Sequence, residues 1–93
     1  MSNVVNCKYS NYDVYIGRPS VWGNPFKIDK DGTRAEVIKK YEAYIRSNNQ
    51  LLVLLPSLKG KKLGCWCYPK FCHGDVLIKL INELCNINLL TYD

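Results

Sequence analysis

Residues 65–75, Cys65-Trp66-Cys67-Tyr68-Pro69-Lys70-Phe71-Cys72-His73-Gly74-Asp75, hold three of the chain's five cysteines, its single histidine and one of its two tryptophans. Thiols, imidazole and carboxylate ligate metals, act as nucleophiles or, for imidazole, titrate near neutrality. Cys65, Cys67, Cys72 and His73 could together hold zinc tetrahedrally. Their C-x-C-x4-C-H spacing departs from finger and ribbon spacings, however, and adjacent Cys-His ligands fit one ion awkwardly. Buried thiols used as small apolar fillers are the favoured alternative. A nucleophile–base pairing of Cys72 with His73 is weak too, because adjacent side chains seldom point at each other productively. Anion binding is the more attractive use. Cys72-His73-Gly74-Asp75 stands where the last helix should begin, and free backbone N–H groups and the helix dipole favour negative charge there. His73 would donate, Gly74 would leave room, and Asp75 would either cap the helix or accept from a ribose hydroxyl.

A second segment, Gly17-Arg18-Pro19-Ser20-Val21-Trp22-Gly23-Asn24-Pro25-Phe26, carries complementary groups. Arg18 is a permanently charged fork suited to phosphate or carboxylate. Trp22 and Phe26 could stack on a planar base, Asn24 offers donors and an acceptor, and Gly17 and Gly23 would let backbone approach a ligand closely. The plain alternative is an ordered loop pinned by its prolines, with its aromatics used as core plugs. The spacing is neither a phosphate-loop nor a dinucleotide fingerprint.

Several elements must position these segments. Val4–Tyr9 and Asp13–Gly17 read as short strands rich in Val, Ile and Tyr, separated by the turn-forming Ser10-Asn11. Thr33-Arg34-Ala35-Glu36 is a capping box that opens a helix. That helix sets Val37, Ile38, Tyr41, Tyr44 and Ile45 on one face and stops at Ser47-Asn48-Asn49. Residues 50–58 are apolar and predict a second, buried helix, with a strand as the competing reading. Residues 61–67 predict a strand, and 75–86 a helix with Leu77, Leu80, Ile81 and Leu84 as its core stripe. The order β-β-α-α-β-α, without repeats or linkers, predicts one α/β domain over residues 1–93, three-layer-like, with a short sheet and about three helices. Sheet order and strand direction do not follow from this pattern.

Ninety-three residues at 47% hydrophobic content, with eleven aromatics (two Trp, seven Tyr, two Phe), suit a single globular domain and exclude disorder. A chain so small has little room for both core and ligand, so a homo-oligomer sharing its pocket is expected. The net charge of +5 favours anionic partners. The basic residues are scattered, which favours a solvated cationic surface over a nucleic-acid patch, and a phosphate-bearing small molecule would be attracted by the same field. No signal-peptide pattern opens the chain, and no apolar run nears the roughly 20 residues a bilayer requires. An odd number of cysteines without a disulfide framework fits a reducing cytoplasm. Nothing in the pattern calls for a cofactor.

Ile16-Gly17-Arg18-Pro19-Ser20-x-Trp22-Gly23-Asn24-Pro25-Phe26 and Gly64-Cys65-Trp66-Cys67-x-Pro69-x-x-Cys72-His73-Gly74-Asp75-Val76-Leu77 resemble the family catalogued as domain of unknown function 4326. The resemblance extends over nearly the whole chain, including the Val5-x-Cys7 opening strand. It implies a small intracellular protein of bacteria, bacteriophages or large DNA viruses, and it brings no catalytic role. The leading expectation is a binding module for a phosphorylated, nucleotide-like small molecule. Arg18 and the helix start at Cys72, His73, Gly74 and Asp75 would hold phosphates, while Trp22, Phe26 and Trp66 would stack on the base; Gly17, Ser20 and Asn24 complete the candidate set. A viral context would suit sequestration of a host immune nucleotide signal. The competing expectations are a small hydrolase of nucleotide or N-glycosidic bonds, using Asp75 or His73 as base, and a zinc-stabilised interaction domain.

Overall fold

The computed structural model describes residues 3–92, with side chains described through Leu84. Met1, Ser2, Asp93 and the side chain of Cys85 lie outside the described residues. The elements follow the expected order: β1 (Asn3–Asn6), β2 (Val14–Tyr15), α1 (Arg34–Arg46), α2 (Asn49–Leu52), a 3₁₀ turn (Leu55–Leu58), β3 (Lys62–Cys65) and α3 (His73–Tyr92).

The three strands form one parallel sheet in the order β1-β3-β2, so the last strand in sequence lies between the first two. Asn3 faces Lys62 and Asn6 faces Cys65 on one side of β3, while Val14 and Tyr15 face Leu63 and Gly64 on the other. Although a turn separates β1 from β2, the two strands never pair. The seven residues between them turn back at Asn6, whose carbonyl accepts from the Tyr9 and Ser10 amides, and cross the face of β3. A parallel connection normally needs a dozen or more residues. These strands are only two to four residues long, so a short link is enough. Gly64 makes the passage possible: a Cβ there would stand 2.6 Å from Tyr12 Cγ. The Asp13 amide then donates to the Lys62 carbonyl and the Asp13 carboxylate accepts from the Lys62 amide, at 2.9 and 2.8 Å, which sets the register of β2.

The alternation of a strand explains the layers. Gly64 faces the crossing loop, whereas Leu63 and Cys65 face the opposite way and are fully buried against the helices. There Val4, Ile16 and Leu63 meet Ile38, Tyr41 and Ile45 of α1 and Val76, Leu77, Leu80 and Ile81 of α3. The stripes are those the helical period predicts, with Tyr44 and Leu84 at the margin. The α1 capping box is present in both directions: the Glu36 amide donates to Thr33 Oγ1 at 3.2 Å and the Thr33 amide to Glu36 Oε1 at 2.9 Å.

Three expectations need correction. The second helix over 50–58 is instead a single α-turn, capped by Asn48, and a separate 3₁₀ turn. Pro56 has no N–H to donate back, so the α-helix stops short of it. The strands are shorter than their apolar runs, because turns begin at once after Asn6 and Cys65. Finally, α3 starts two residues earlier than the pattern suggested, at His73.

Candidate functional site

Gly17 follows β2, Trp66 and Cys67 follow β3, and Cys72 and His73 open α3. All five line one cavity of about 280 Å³ at the carboxyl ends of the parallel strands, the usual ligand position in open α/β sheets. Arg18, Asn24 and Phe26 line it as well, so the two sequence segments meet within one chain. Val37 and Ile38 of α1 add an apolar wall. Among the described residues no aspartate or glutamate borders the cavity, whereas two arginines do, Arg18 and Arg34.

The walls are fixed by hydrogen bonds. The Trp66 indole N–H donates to the Tyr15 hydroxyl at 3.0 Å, and that hydroxyl donates to the Arg18 carbonyl at 3.1 Å. The indole is therefore held in place although 61% of Trp66 is exposed. Gly17 leaves room for this relay, since a Cβ there would collide with the Tyr15 hydroxyl and ring. Asn24 ties its loop to α1: its Nδ2 donates to the Val37 carbonyl at 3.2 Å and its Oδ1 accepts from the Phe26 amide at 2.9 Å. Phe26 stands edge-on to Tyr44, with ring centroids 6.3 Å apart. Arg34 Nη1 donates to the Phe71 carbonyl at 3.3 Å and so bridges α1 to the loop before α3.

His73 is buried, its Nε2 is 2.7 Å from the Ile16 carbonyl, and its ring lies edge-on to Tyr41. A carbonyl can only accept, so Nε2 carries the proton and Nδ1 is the unprotonated nitrogen of the neutral ring. Burial pushes its pKa below the usual range, and the nearby Arg18 charge adds to this, against the opposing carbonyl bond and Asp75. Burial likewise raises the Tyr41 hydroxyl, which donates to the Trp22 carbonyl at 2.6 Å.

Four candidate residues lie away from the cavity. Trp22 is a core plug, 5% exposed. Ser20 sits in the loop behind Arg18 with its hydroxyl oxygen buried. Gly74 makes room for the sheet rather than for a ligand: a Cβ would meet Val4 Cγ2 at 2.8 Å and Ile16 Cδ1 at 3.0 Å. Asp75 accepts from the Cys72 amide at 2.9 Å and so takes the capping role. A hydrolase built on Asp75 or His73 would thus find the carboxylate outside the cavity and one imidazole nitrogen engaged.

The zinc quartet is not brought together. Among the described residues no three His, Cys, Asp or Glu side chains cluster to hold a metal. Cys65 and Cys72 instead face each other, Sγ to Sγ at 3.3 Å, both buried. Cys72's hydrogen bond lowers the Cys65 thiol to about 6 against the opposing effect of burial, helped by the Tyr68 and Cys67 backbone. The same bond and burial hold Cys72 well above the ordinary thiol range.

Sequence reasoning missed Arg34, Tyr15 and the Val37-Ile38 wall. Arg34 did leave a signal. It is the first residue of α1, where a cation opposes the helix dipole. A local rule broken in this way is the mark expected of a functional position.

The family described as Domain of unknown function (DUF4326) matches residues 3–83. An uncharacterised 12.4 kDa protein from the nrdA-td intergenic region of Enterobacteria phage T4 is 38% identical over 87 residues, covering 90% of this chain and 81% of the relative. The uncharacterised protein R718 of Acanthamoeba polyphaga mimivirus is 42% identical over 88 residues, covering 75% of this chain and 67% of the relative. No solved structure matches. With a match spanning both cavity-forming segments and nearly the whole sheet-and-helix framework, the chain belongs to the DUF4326 family.

Proposed function

We propose that the cavity binds a small phosphorylated, nucleotide-like molecule. Two arginines at a cavity without carboxylates, beside an exposed indole already held in place, carry this reading. Guanidinium forks match phosphate oxygens in pairs, and an ordered aromatic face accepts a base at little entropic cost. Arg18 and Arg34 hold the phosphate, Trp66 stacks on the base, and Phe26 and the Val37-Ile38 wall close the apolar side. About 280 Å³ lies near the lower end of small-molecule sites, and it suits one nucleoside phosphate unit better than two. The biological use in this reading is sequestration of a host nucleotide signal, a role that would suit a chain whose relatives are phage and mimivirus proteins.

Titration calorimetry against nucleoside monophosphates, diphosphates and ADP-ribose tests this. Arg18→Ala and Arg34→Ala should each weaken binding by about tenfold or more, as expected for a charge-assisted bond, with the melting temperature nearly unchanged. Trp66→Ala should weaken nucleotides more than inorganic phosphate. Equal affinity in all three variants would refute the assignment.

A further inference from the structure

We propose that Cys65 and Cys72 are a redox-active dithiol in the cavity wall, closing reversibly to a disulfide with a peroxide as oxidant. Cys65 ends β3 and Cys72 immediately precedes α3, so the six-residue turn 66–71 joins them. Their sulfurs are 3.3 Å apart with one proton between them, and a disulfide needs about 2.0 Å. The remaining approach is absorbed by the turn, without unpairing β3 or unwinding α3. Cys72 borders the cavity and Cys65 lies behind it. A molecule the size of hydrogen peroxide therefore reaches the pair by the opening a ligand uses, although both residues are closed to bulk solvent.

The backbone around Tyr68 and Cys67, together with the Cys72 thiol, favours the deprotonated form of Cys65. In the oxidation, the shared proton passes to the Cys65 sulfur, and the cavity-facing Cys72 sulfur attacks the peroxide, displacing hydroxide and becoming a sulfenic acid. The partner sulfur then attacks it, forming the S–S bond and expelling the sulfenic oxygen, which leaves as water with the pair's remaining proton. Two thiols and one peroxide give one disulfide and two waters. A dithiol reductant reverses the process by exchange through a mixed disulfide. The proposal needs no bound nucleotide and stands independently of that reading.

Mass mapping of the native protein tests it. Protein treated with stoichiometric hydrogen peroxide is denatured, its remaining thiols are alkylated, and it is cut with trypsin. Cleavage after Lys62, Lys70 and Lys79 puts Cys65 on the peptide 63–70 and Cys72 on 71–79. The expected product is these two peptides joined, two hydrogens lighter than their sum, with fragmentation placing the bond on Cys65 and not Cys67. Dithiothreitol should separate them. Cys67→Ser should leave the link intact, and Cys65→Ser should abolish it. A link through Cys67, over-oxidation without any link, or equal linking in protein oxidised while unfolded would each overturn the proposal.

Discussion

His73 sits between the Ile16 carbonyl and the Tyr41 ring, with Arg18 and Asp75 as the nearby charges. Its pKa is lowered on folding, so the unfolded chain takes up a proton first as pH falls through the ordinary histidine range near 6.5. Stability contributed by the neutral ring is complete above that range and declines below it, at no more than about 1.4 kcal/mol per pH unit for one proton. Melting curves between pH 6 and 5 should show this decline, and His73→Gln, which keeps a donor for the carbonyl but cannot titrate, should flatten it. That window separates the effect from its neighbours. The lowered Cys65 thiol acts above about pH 6, while Glu36 and Glu42 act below the ordinary glutamate value of 4.5. At this scale the sequence offers Trp22, Asn24 and Asp75 as ligand groups, and the structure gives each a place within the protein: Trp22 is a core plug, Asn24 bonds the Val37 carbonyl while lining the cavity, and Asp75 accepts from the Cys72 amide. Whether a side chain meets a ligand or its own protein depends on burial and on which backbone groups lack partners, and neither is a local property of sequence.

Elements were legible where their signals were local. The α1 capping box and apolar face, and the core stripe of α3, follow directly from residue spacing. The sheet order did not, because nothing in two short apolar runs says that a third, some fifty residues later, will lie between them. Two glycines carry that long-range information instead. Gly74→Ala should destabilise the fold by about 1–3 kcal/mol through overpacking against the stiff Val4 side chain. Helix propensity alone predicts the opposite sign, so a chemical denaturation curve decides between them. Gly64→Ala should cost a similar amount by pushing Tyr12 off the sheet. Thr33→Ala, which removes only the α1 cap, should cost about 1 kcal/mol. The Glu42–Lys79 and Arg46–Glu83 bridges that join α1 to α3, and the Glu42–Arg46 pair within α1, lie at the solvent-facing surface, and their loss should matter less.

For the whole molecule, a charge of +5 with two cationic side chains at the cavity mouth means that an anion is drawn in from a distance. Added salt should weaken nucleotide binding with a log–log slope of roughly −1 to −2, set by the two arginines. A duplex nucleic acid held at many phosphates would give a far steeper one. Among the described residues no helix is long and apolar enough to cross a membrane. The placement of β3 at the centre of the sheet has a consequence in time. While the chain is being made, the first sixty residues hold β1 and β2, which pair in the sheet with β3 and not with each other, and β3 is still to come. Once residues 62–65 emerge and slide between them, the sheet can close, and the cavity mouth and the facing sulfurs can form with it. A chain interrupted before that point would lack the sheet that α1 packs against and the cavity at its edge, which leaves little scope for a partly working fragment.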